Sequence, residues 1–208
     1  MTKEEEIKNE IWNIWQISLF AKECFSYSQY LHNPKTKVEL EYIRGSKDFQ
    51  FFRHILWRNT VIELAKLFTD KKDRDRFNIF HFLKKLKVGG QFGKMGIPET
   101  QITNWENQIA TNSEAINMIL TLRDKVYAHT DANKNRYSQN QPTFQETERL
   151  IDIVESVIQE IYSTIFDSHA IIETISFDKD RFGMVRSLVE LRERETQDLI
   201  AMMNNSKK

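Results

Sequence analysis

The segment Arg123-Asp124-Lys125-Val126-Tyr127-Ala128-His129 holds the side chains of this chain best suited to chemistry. An arginine keeps its charge at all physiological pH values and presents a planar fork of donors that fits a carboxylate or a phosphate. A histidine changes charge near pH ~6.5 and can therefore move protons under neutral conditions. Placement adds to residue type. With Ile116 set at zero and a turn of about 100° per residue, Ile119, Leu120, Val126 and Tyr127 lie within roughly 80° of it, as on an amphipathic helix. Arg123 falls at about −20°, in the middle of that apolar face. A guanidinium buried without a counter-charge costs on the order of several kcal/mol. Arg123 therefore calls for an anion: Asp124, another side chain, or the phosphate of a ligand. Met118 and Leu122, at about −160° and −120°, make a second apolar side. A helix apolar on two sides faces two neighbours, and this spacing predicts a two-fold dimer with the second neighbour in the partner.

The elements that position this segment read as helices almost throughout. Residues 4–31 carry Ile7, Ile11, Ile14, Trp15, Leu19 and Phe20 at spacings of three and four, and the pattern stops before Pro34. A second helical stretch covers 38–68, with a break expected at Gly45-Ser46 and its strongest part at 51–68. Residues 71–76 read as a charged turn. A short helix over 79–86 ends at Gly89-Gly90, and Pro98 suits the first turn of the next helix, which is predicted to run unbroken to Ala128. His129 then opens the polar stretch 130–141. Thr143 with Glu146 spells a capping box that starts a helix to Phe166. A last helix, about 178–202, has a charged surface. The expected fold is all-α, an antiparallel helical bundle over residues 1–170. A C-terminal helical extension over 171–208 is expected to pack on the bundle or on a dimer partner.

Composition agrees and removes several function classes. Six Gly and three Pro in 208 residues favour long helices over a turn-rich β fold, and fourteen Phe with four Trp supply a core. Thirty basic residues balance thirty acidic ones, so any grip on nucleic acid must come from a local positive site rather than from bulk charge. Cys24 is the sole cysteine, which excludes a disulfide framework and a thiolate metal centre. No Glu has a His three residues on, His-Glu-x-x-His is absent, and so are a phosphate-binding Gly-Lys-Ser/Thr loop and a Gly-x-Ser-x-Gly elbow. No metal and no cofactor are therefore expected. The start of the chain is acidic and lacks a signal peptide's apolar core, and no run of about 18 apolar residues occurs, which points to a cytoplasmic protein without a membrane partner. His32, His54, His81 and His169 read as structural, the four tryptophans as packing, and Lys84, Lys85 and Lys87 as solvated surface with, at most, a minor role in holding an RNA backbone.

The string Leu122 to Asp131 resembles the HEPN superfamily, whose signature is Arg, four to six residues, then His, with a polar residue after the Arg. It is most similar to the abortive-infection, AbiU-type branch, and Trp57-Arg58-Asn59-Thr60 through Thr69-Asp70, followed by the helix at 79–86, resembles that branch as well. The likeness spans roughly residues 5–170. It implies a metal-independent ribonuclease, often a toxin or phage-defence effector, with Arg123, Asp124 and His129 as its catalytic residues. His129 would move protons, Arg123 would hold the phosphorane, and Asp124 would orient either one. On an ideal helix Arg123 and His129 stand about 120° and about 9 Å apart. Two copies facing across a two-fold axis bring them together better than one does, as in HEPN dimers with a shared cleft. The alternative is a non-catalytic HEPN module that binds RNA or serves as a regulatory scaffold. The implied partners are RNA, a second copy, and an antitoxin or other regulatory protein. Some HEPN toxins carry Tyr two residues after the His as a site for modification by a partner. Asp131 stands there in this chain, so silencing by that route is not supported.

Overall fold

The computed structural model describes residues 2–70, 76–128, 137, 139–170 and 182–205, and among these the chain is helical with no strand. The first helix, α1 (Lys3–His32), is opened by Thr2, whose hydroxyl accepts from the Glu5 amide while Glu5 accepts from the Thr2 amide. The same reciprocal cap opens α2 (Lys37–Gly45) through Thr36 and Glu39. Ser46 ends α2 and caps α3 (Lys47–Phe68), so the break expected at Gly45-Ser46 is real. Asn78 caps α4 (Ile79–Leu86) by accepting from the His81 amide, and its side-chain nitrogen meets His81 Nδ1 at 3.0 Å. His81 is thus part of a cap. After α4 the chain turns tightly at Gly90, where a Cβ would stand 2.5 Å from the Lys85 carbonyl oxygen.

The helix predicted to run unbroken from Pro98 to Ala128 is three pieces. Pro98 stands at the N-cap, one position before the first turn of α5 (Glu99–Thr111). Asn112 interrupts it with φ −99° and ψ 16°, and its side-chain amide donates back to the Gln108 carbonyl. Next come α6 (Ser113–Leu122) and then a π-helical turn, Arg123–Tyr127, closed by the Ala128 amide donating to the Arg123 carbonyl at 2.8 Å. The predicted capping box at Thr143 and Glu146 opens α7 (Phe144–Phe166). The last helix, α8, runs Gly183–Asn205. Residues 178–181, where its start was expected, lie outside the described residues, as do 71–75 of the charged turn.

The long helices are antiparallel neighbours. α1 lies against α3, and α1 also lies against α7, with Lys22 bridging to Glu155 at 2.7 Å and Trp15 meeting the Tyr162 ring edge-on. α5 runs back along α7, where Trp105 reaches Glu160. The main core includes Ile7, Ile11, Ile14, Val61, Leu64, Phe82, Trp105, Ile119, Val154 and Ile158. Burying such side chains stabilises by about 1.5–3 kcal/mol each against leaving them in water. Trp57 and Trp105 are core residues, whereas Trp12 is half exposed and stacks edge-on against Trp15. A second, smaller core joins Tyr30, Leu31, Ile43 and Phe49 to Val185 and Val189 of α8. From Glu190 onward α8 is exposed on all sides.

Candidate functional site

Leu122 is the last α-helical residue before the motif and is fully buried. With Ala115, Ile116 and Ile119 it forms the inner face of α6, which packs on α3. Leu122 was expected on a second, outward apolar side. It instead faces the protein's own core, because the inner face is centred nearer −70° than zero on the ideal wheel. That removes Leu122 from the reasons for an external neighbour and leaves Met118, which is half-buried.

From Arg123 the backbone winds more loosely, each amide reaching back five residues rather than four. The angle of about 120° expected between Arg123 and His129 on an ideal α-helix includes a residue outside the described ones. His129 and Asp131 lie outside the described residues.

Arg123 is 17% exposed. Its Nε is buried and makes no aligned hydrogen bond among the described residues, although Asp124 Oδ1 stands 3.0 Å away. The carboxylate is close enough for charge attraction, but the N–H is not pointed at it. Asp124 is therefore the neutralising neighbour nearest in the chain, and it leaves part of the guanidinium fork unanswered.

The turn rests on α3. Arg58 Nη2 donates to the Tyr127 carbonyl at 3.1 Å, and His54 meets the Tyr127 ring edge-on at a centroid distance of 6.0 Å. A helix end leaves carbonyls without donors, and a guanidinium is well suited to take one. Burial pushes the Tyr127 hydroxyl up from its usual pKa, while the Arg58 charge pulls it back part of the way. Trp57 is buried and packs edge-on against Phe144, the first residue of α7. His32 Nδ1 donates to the Ser28 carbonyl at 2.7 Å, and its ring also meets Phe144 edge-on. Burial, and secondarily the Arg53 charge, lowers the His32 pKa.

His54 and Arg58 thus stand against the motif turn, although His54 reads as structural in the sequence and Arg58 only as part of a resemblance. Their signal was present: both lie on one side of α3, within about 40° of each other. What the sequence lacked was the knowledge that this side meets Tyr127. Of the lysines expected as solvated surface, Lys84 and Lys87 stay exposed in surface ion pairs and Lys85 is drawn in against Glu10. Lys85 donates to both oxygens of the buried Glu10, Lys84 pairs with Asp70, and Lys87 with Glu106. Among the described residues no group of three His, Cys, Asp or Glu side chains is placed to hold a metal ion, and no helix is long and apolar enough to cross a membrane.

The family model described as AbiU2, of HEPN type, matches residues 4–191. The match reaches beyond residue 170, through the part of α8 that packs on the bundle, and stops just after Val189, the last buried residue of that helix. No curated protein and no solved structure matches the chain. With an all-α bundle and a family match covering most of its length, the chain belongs to the AbiU2 family of HEPN domains.

Proposed function

We propose that this domain is a metal-independent endoribonuclease that acts as a toxin or phage-defence effector and cleaves RNA through its own 2′-hydroxyl. The observation that carries the reading is Arg123: a largely buried guanidinium whose Nε has no aligned acceptor, set at the mouth of a π turn. π turns recur at functional sites. A buried donor without a partner is costly to the fold, and an incoming phosphate supplies the missing acceptor. In this mechanism His129 relays the proton of the attacking hydroxyl or leaving oxygen. Arg123 balances the charge that builds on the phosphorane, and Asp124 holds Arg123 or His129 in orientation. A homodimer with both motifs lining one cleft completes the assembly, with an antitoxin or other regulatory protein as the natural control on a toxic activity.

The test is cleavage of single-stranded RNA by purified protein in the presence of EDTA. The expected products carry 2′,3′-cyclic phosphate and 5′-hydroxyl ends, and DNA is inert because it lacks the attacking group. His129→Ala and Arg123→Ala each lower the rate by about 10² or more, and Asp124→Asn by less. Light scattering at micromolar concentration reports about twice the 24.8 kDa protomer mass. Full-rate cleavage by His129→Ala, or loss of cleavage with EDTA, overturns the mechanism. RNA binding without any cleavage by the wild type makes the domain a binding module.

A further inference from the structure

Phe51, His54 and Arg58 fall within about 60° of one another on α3 and span about 10 Å along its axis. They form a stripe whose Arg58 end touches the motif turn at the Tyr127 carbonyl. Its far end is a phenylalanine ring 59% exposed to solvent. His54 between them is exposed and Arg58 half-buried. Arg58 pairs with no carboxylate among the described residues, whereas Lys84, Lys85 and Lys87 all do. In a chain of zero net charge this is a local positive site beside the motif.

An exposed ring leading along one line to a guanidinium is the arrangement that holds a single strand: bases stack on the ring while the backbone meets the charge. We propose that Phe51, His54 and Arg58 form a binding strip for single-stranded RNA that leads the strand to Arg123, a site that rests on the ribonuclease reading for its choice of ligand. Arg58 has donors beyond the one given to Tyr127, and these face the phosphate nearest the motif. Phe51 stacks a base about 10 Å from Arg58.

The experiment measures fluorescence anisotropy of a labelled 12-nucleotide single-stranded RNA, and of the DNA of the same sequence, with full-length His129→Ala protein. Adding Phe51→Ala is expected to weaken RNA binding by about 5- to 100-fold. Adding Arg58→Gln reduces the slope of log affinity against log salt by about one phosphate contact, equally for RNA and DNA. In the active background, Phe51→Ala raises KM for the 12-mer more than kcat falls, and an unaltered thermal unfolding midpoint separates the strip from a folding defect. Wild-type affinity and KM in both variants, with cleavage intact, overturn the strip while the ribonuclease reading survives. Binding lost as stated in a protein that never cleaves supports the strip and sinks the ribonuclease. A change in molecular mass with Phe51→Ala, at unaltered RNA affinity, makes the stripe a contact between copies and overturns it as well.

Discussion

Trp105 and Arg123 are both shielded from water, both carry a ring or fork N–H, and the fold treats them in opposite ways. Trp105 is completely buried and its Nε1 donates to Glu160 Oε2 at 2.9 Å. Gln101 donates to the same oxygen and Ser156 to the other. Burial pushes the Glu160 carboxyl up, but these three hydrogen bonds outweigh it and hold the pKa below the ordinary value. Nothing is left over for a ligand. At Arg123 the buried Nε has a carboxylate beside it and no aligned bond. Polar groups inside proteins are nearly always satisfied, so a completed network marks a structural joint, and an incomplete one asks what else arrives.

Three measurements break or sharpen this contrast. The largest effect belongs to the structural joint. Trp105→Ala removes a fully buried indole and strips Glu160 of a donor, and it is expected to cost about 3–5 kcal/mol in urea denaturation. The RNA cleavage rate per folded molecule should stay at the wild-type level. A rate that falls with Trp105 would mean that the α5–α7 joint is part of the site after all.

Arg123→Met comes next, with the opposite signature. Cleavage drops by about 10² or more. The unfolding midpoint equals or exceeds that of the wild type, since a buried, poorly bonded cation has been replaced by an apolar chain of similar length. A loss of stability comparable to that of Trp105→Ala would show Arg123 to be a structural cation, and the contrast would collapse.

The smallest effect is read at His32, next to the motif end of the bundle. Burial, helped by the Arg53 charge and opposed by the Ser28 carbonyl, lowers its pKa from 6.5. The folded state then binds fewer protons than the unfolded one. The stability that neutral His32 contributes is fully present above pH ~6.5 and is lost as pH falls through the lowered folded value. Thermal unfolding should therefore show wild type losing stability relative to His32→Gln as pH falls through that window, with the difference constant above it. An NMR titration should show Arg53→Gln moving the His32 pKa part of the way up, leaving it still below 6.5 because burial is the larger cause. No movement would remove Arg53 as a cause of the lowered His32 pKa.

Much of the architecture was legible because it is local. Apolar spacing of three and four marks α1, α3 and α7, and the Thr143–Glu146 box fixes where α7 begins. The same Thr-x-x-Glu signal stands at Thr2 and Thr36 and was there to be read. The motif residues were legible as chemistry, since an arginine on an apolar stripe and a histidine near its end are unusual on any helix. Other features only tertiary structure decided. Nothing in Arg-Asp-Lys-Val-Tyr favours a π turn over an α turn, and the wider winding is held where α3 brings Arg58 to the Tyr127 carbonyl. Leu122 could face inward or outward until α6 met α3 and turned it inward. Periodicity is a property of one helix, and it states which residues share a face. Which helix that face meets, and therefore which side chains stand against the motif turn, depends on contacts between residues far apart in the chain, which no local pattern records.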